Sequence, residues 1–284
     1  MTPDQPRSVR ALLRRSVLAL SVLEDVDVDL DDDGVRLPGC TPLQWSDVAR
    51  QVGVQSLASD ATRLGSSAAT GDDVTRLLVH DLLLAHRELH RGTIRTVALA
   101  VPVEAERHPG GGWSHLPVLG GALDLGLGVV VRRGAHERTL PVPVVSARST
   151  GRPAALAPEG VRHLEEMGDL AVQRLVRDAG TRGAGVLRPM GGCDVPTLLA
   201  AASLREHLVA RPDGTSGKVL RAVAVPNRTR GWFDLARIDP VYVGAAFSAT
   251  DLADRGAPHP LLVTRDEVAR APRHPRMAAA LLQD

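Results

Sequence analysis

A change of hydrophobic period at Gly92 constrains this chain more than any other feature. From Asp72 to about His90 the apolar residues Val74, Leu77, Leu78, Leu82 and Ala85 recur at helical spacing, and Leu83 and Leu84 widen the stripe. Asp72 stands where an N-cap would. Beyond Gly92, Thr93 to Val103 is a β-type run. A chain that switches period in this way has both a helical stripe and a sheet face to bury, which defines an α+β protein. The expectation is a mostly helical module with a β-hairpin over residues 1–92, followed by a larger mixed sheet-and-helix α+β domain over 93–284.

Within the first module, Val9, Leu12, Leu13, Val17 and Leu20 fall on one helical stripe, while Arg7, Arg10 and Arg14 share another. Val26, Val28 and Leu30 then alternate with Asp27, Asp29 and Asp31, and Asp33-Gly34 leads into Val35-Arg36-Leu37: a hairpin signature. Leu43 to Val52, capped by Ser46 or Thr41, and Ser56 to Leu64 read as two short helices. In the second part, Leu123 to Arg132 and Thr139 to Val145 read as strands, with Pro141 and Pro143 placing the latter at a sheet edge. Ser146 to Pro158 is linker-like. Helices are expected over 159–179, 195–210 and 277–282, and strands over 186–190, 218–225, 232–238 and 261–263.

Charge and composition exclude several classes. With 34 Lys+Arg against 33 Asp+Glu, the net charge of +1 provides no global field to draw the chain to nucleic acid or anionic lipid. An aromatic content of 2% argues against stacking platforms for bases. Lys218 is the only lysine, Asn227 the only asparagine, and Ile94 and Ile238 the only isoleucines. Joint scarcity of residues with AT-rich codons points to a bacterial, high-GC genome. No run approaches the ~20 apolar residues that span a bilayer. Glu24, Asp25 and Asp27 follow the first apolar run where a signal peptide would carry small residues, so the expected location is cytoplasmic. Cys40 and Cys193 are too few for a disulfide framework.

Several constellations carry chemistry on paper. Asp29, Asp31, Asp33 and Gly34 resemble the start of an EF-hand loop, but Cys40 stands where the bidentate glutamate belongs, and the hairpin already explains these acids. His86 and His90 are four apart on a helix, the spacing of two metal ligands, yet the sequence supplies no third. Glu104, Glu106 and His108 alternate as on a strand face, with His115 beyond a Gly-rich loop, and together form a candidate metal set. Gly191-Gly192-Cys193-Asp194 precedes a helix. That setting lowers a thiol's pKa, so Cys193 is a candidate nucleophile, Asp194 its orienter, and His163 or His207 the base. A plain strand-to-helix turn capped by Asp194 explains the same residues. Gly214 to Lys218 departs from a P-loop in spacing and context.

Residues 43–64 resemble the spacing of a helix-turn-helix, with Ala49 for close packing, Gly53 at the turn, and Gln55, Ser56, Ser59 and Arg63 facing the groove. Against this, Ser59 and Thr62 stand where apolar residues belong, Asp60 opposes phosphate, and the flanking surface is not basic enough for the usual phosphate contacts. The leading functional expectation is a non-catalytic binding or interaction protein for a protein or small-molecule partner. It requires no cofactor and contacts its partner through Trp113, His115 and Trp232 around the Gly-rich loop. The alternatives are a DNA-binding regulator through 43–64, and an enzyme using Cys193 or a metal.

Overall fold

A computed structural model describes residues 9–53, 68–92, 94–133, 136–181, 183–210, 220–234 and 238–271. The protein is α+β, with eight α-helices and several antiparallel sheets among those residues. The chain divides into two compact units that interleave along the sequence. The first comprises residues 1–96, 109–114 and 127–155, and the second 97–108, 115–126 and 156–284.

In the first unit, α1 (Val9–Glu24) buries Val9, Leu12, Leu13, Val17 and Leu20, the predicted stripe. Its basic side is also used. Arg10 and Arg14 both reach Asp32 in the hairpin formed by β1 (Asp29–Leu30) and β2 (Gly34–Arg36). Asp31 Oδ1 accepts the amides of Asp33 and Gly34 at 2.8 and 2.7 Å, and its Oδ2 pairs with Arg36 at 2.9 Å. The amide bonds hold the Asp31 carboxyl below its ordinary pKa. Asp31, central among the acids that resemble a calcium loop, is thus occupied in closing a turn.

Leu43 and Gln44 form β3 beside β2, so α2 begins later than predicted, at Trp45, and ends at Gln51. Neither Thr41 nor Ser46 caps it; Gln44 occupies that position without a side-chain bond. Gly53 has φ +77°, the left-handed conformation expected after a helix end. The groove-facing residues Gln55, Ser56, Ser59 and Arg63 lie outside the described residues, as do Gly214 to Lys218 and the helix expected over 277–282. The long helix α3 (Ala68–His90) starts ahead of Asp72, which makes Asp72 an interior residue instead of a cap. Together α1, α2, α3 and the small sheet enclose a core containing Leu13, Leu43, Trp45, Val79 and Leu83.

β4 (Thr96–Pro102), β5 (His115–Val118) and β6 (Leu123–Arg133) form one sheet in the order β4-β6-β5, and β7 (His136–Pro141) pairs with β6. Val144 and Val145, predicted to end a strand, instead start α4 (Val144–Ser149), because Pro143 supplies an extended N-cap. The segment predicted as a linker therefore contains a helix that buries Ser146 and Ala147.

In the second unit, α5 (Pro158–Asp178) packs with α7 (Ala202–Val209) near a five-stranded antiparallel sheet of order β12-β11-β9-β10-β8. Its strands are β8 (Val186–Leu187), β9 (Arg221–Asn227), β10 (Arg230–Trp232), β11 (Leu261–Val263) and β12 (Val268–Arg270). The helix predicted over 195–210 is two: α6 (Val195–Leu198) and α7, separated by Leu199–Ala201. Buried Arg205 donates to the carbonyls of Leu199, Ala200 and Arg265, and Glu165 accepts the amides of Ala202 and Ser203. The break is thereby satisfied from both sides. The last helix of the described residues, α8 (Pro240–Ala249), is capped by Asp239.

Candidate metal centre

Two groups of potential metal ligands occur among the described residues, one in each unit. Their hydrogen bonding distinguishes them. In the first unit Cys40 joins His86 and His90, providing the third donor that no local spacing announced. The His86 ring, fully buried, has Nε2 at 2.9 Å from the Thr41 carbonyl and Nδ1 at 2.8 Å from Ser146 Oγ. A carbonyl only accepts, so Nε2 carries the proton and Nδ1 takes the Ser146 hydroxyl proton. His90 Nδ1 faces the His86 carbonyl at 2.8 Å, while its Nε2 accepts the Thr41 amide at 3.2 Å. Both lone pairs a metal would need are already engaged. Burial pushes the His86 pKa down to about 4, aided by neighbouring His90 and opposed by the Thr41 carbonyl. The Cys40 thiol is raised by burial against the pull of Arg87 and Arg91. This cluster is a hydrogen-bonded lock between α3, α4 and the segment after the hairpin.

The second unit differs. Glu104, Glu106 and His108 do not alternate on a strand, because β4 ends at Pro102 and the chain turns, with Ala105 donating to Pro102 and His108 to Ala105. The two glutamates are consumed elsewhere: Glu104 pairs with Arg270, and Glu106 with Arg255 at 2.7 Å. His108 and His115 do meet, as the candidate set expects, but around Asp124. His108 Nε2 lies 2.9 Å and His115 Nε2 3.4 Å from the same oxygen, Asp124 Oδ2. The rings stand edge to face with centroids 5.3 Å apart.

Antiparallel register explains the meeting. His115 lies opposite Gly126 and Pro117 opposite Asp124. His115 and Asp124 are thus diagonal neighbours on one sheet face, within reach of long side chains. Gly126 places no side chain across from His115, leaving its imidazole space to lean toward the carboxylate. Asp124 is a buried carboxylate in the otherwise apolar run Leu123-Asp124-Leu125-Gly126-Leu127. That interruption is a sequence signal for a functional or paired acid. Burial lowers the His108 pKa, opposed by Asp124 and reinforced by His115.

The other candidates have structural occupations. Cys193 is fully buried in the core with Leu187, Val195 and Leu198. Asp194 caps α6, accepting from the amide and hydroxyl of Thr197 at 3.0 and 2.5 Å, and pairs with Arg228 at 2.5 Å. His163 Nε2 faces the Gly191 carbonyl at 3.1 Å, which requires a proton on that nitrogen. His207 stands in the last turn of α7, its pKa lowered by burial. Trp113 is buried, and its indole N–H donates to the Leu127 carbonyl at 2.9 Å, so it is a core residue. Trp232 is half-buried and stacks edge-on to Tyr242 at 6.0 Å. No helix of the described residues is long and apolar enough to cross a membrane.

Comparison of the chain with protein-family models, curated proteins and solved structures finds no match.

Proposed function

We propose that the chain is a binding protein whose ligand is a divalent transition-metal ion held by His108, His115 and Asp124. The convergence of two imidazole nitrogens on one buried carboxylate oxygen, at 2.9 and 3.4 Å, carries this reading. Donors bound to one ion at ~2.0–2.1 Å stand roughly 3.0–3.4 Å apart from each other; both distances to Asp124 Oδ2 are near that spacing, and the three donor atoms lie within 4.8 Å of one another. The same triangle as a purely hydrogen-bonded set requires a proton on each Nε2, with both shared by one oxygen. An ion replaces both protons. Two nitrogens and one oxygen without sulfur favour zinc or ferrous iron over copper(I) or the alkaline earths.

Calorimetric titration of the metal-stripped protein with zinc tests the reading. One equivalent binds to the wild type. His115→Ala and Asp124→Asn each lower the affinity at least tenfold, whereas His90→Gln leaves it unchanged. Unaltered binding in the His115 and Asp124 variants refutes it.

A second reading, an interaction surface for a protein partner, draws on the Trp232–Tyr242 pair, where Tyr242 and neighbouring Val241 are exposed. It predicts that Tyr242→Ser reduces self-association or partner capture without changing the unfolding midpoint. An unaltered association state and partner profile count against it.

A further inference from the structure

We infer that an ion held at His108, His115 and Asp124 keeps open coordination positions on its solvent side and takes a small anionic oxygen-donor ligand there; this rests on the metal reading above. Among the described residues the donor set has three members, and zinc or ferrous iron takes four to six ligands. The two carboxylates nearest in sequence, which could close the shell, are held away by Arg270 and Arg255. The His115 side chain retains 24% of its exposure, against 18% for His108 and 11% for Asp124, and His108 Nε2 itself is buried, so an open position faces solvent on the His115 side. A sealed structural site would bury its ligands and complete the shell from protein.

Charge selects the ligand. A divalent ion with two neutral imidazoles and one carboxylate keeps a net single positive charge, which a monoanion neutralises. Hard or borderline ions with nitrogen and oxygen donors prefer oxygen in the remaining positions. Adjacent open positions suit a bidentate monoanion such as a hydroxamate or a hydroxycarboxylate.

Cobalt(II) replaces zinc or iron in such sites and reports its shell through visible absorption. The test titrates the full chain first with cobalt(II), then with acetohydroxamate, following the absorption bands. The expected result is a cobalt spectrum at one equivalent, absent in His115→Ala, that shifts saturably with one acetohydroxamate per cobalt. A His115-dependent cobalt spectrum indifferent to both acetohydroxamate and azide shows a closed shell and overturns this inference alone. Absence of any His115-dependent cobalt spectrum overturns the metal reading and the inference with it.

Discussion

Replacing His86 by glutamine tests the buried lock at Cys40, His86 and His90. The native ring is fully buried and neutral, with a pKa of about 4 against an ordinary 6.5. Between those values the unfolded chain binds a proton that the folded chain refuses. The contribution of neutral His86 is therefore complete above about pH 6.5 and is lost as pH falls toward 4. Over a descent from pH 7.5 to 5 the loss is about 2 kcal/mol, accumulating at ~1.4 kcal/mol for each pH unit below the unfolded chain's value. Glutamine keeps a donor for the Thr41 carbonyl but cannot take a proton, and it leaves the Ser146 hydroxyl without its ring acceptor. That orphaned group costs about 1–3 kcal/mol at any pH. Urea unfolding of both proteins at pH 7.5 and pH 5 separates the two effects. The wild type is the more stable at pH 7.5, and its advantage shrinks by about 2 kcal/mol at pH 5. An advantage that is constant with pH refutes the claim that His86 is held neutral by burial.

Three further outcomes follow from the packing. Asp194→Ala removes the α6 cap and strands the mostly buried Arg228, at a cost of roughly 2–4 kcal/mol, while Asp194→Asn recovers the cap portion; the denaturant midpoints of the two variants measure the difference. Gly34→Ala drives a methyl group into the Leu43 carbonyl across the β2–β3 pair, costing about 1–3 kcal/mol and lowering the melting temperature. Alkylation of the native protein with iodoacetamide, read by peptide mass, labels half-buried Cys40 before fully buried Cys193, which reacts only after unfolding. Rapid native labelling of Cys193 would revive its role as a nucleophile.

What was legible in the sequence was local. The α1 stripe, the Asp-Gly turn and the edge position of β7 rest on near neighbours, whose period or backbone preference decides the outcome. The reading of Glu104, Glu106 and His108 as one strand face fails because Pro102 ends β4 and two successive turns abolish the alternation. The single helix expected over 195–210 fails for a different reason. Its break is stabilised by Glu165, 37 residues away from Ala202, and by Arg205, which reaches back to Leu199 and is itself held by the distant Arg265 carbonyl.

The α+β character of the chain is inherent in its amino-acid order, since the hydrophobic periods specify which faces must be buried. His108 and His115 were likewise recognisable there as residues with ligand chemistry. The acid they meet is a property of the packed molecule. Glu104 and Glu106 are closer in sequence, but arginines claim them, while antiparallel register brings Asp124 diagonally to His115. The same holds for Cys40 and His86, 46 positions apart and joined by packing of α3 against the segment after the hairpin. Local period follows from backbone geometry, whereas convergence of side chains follows from register and packing, which no short stretch of sequence encodes.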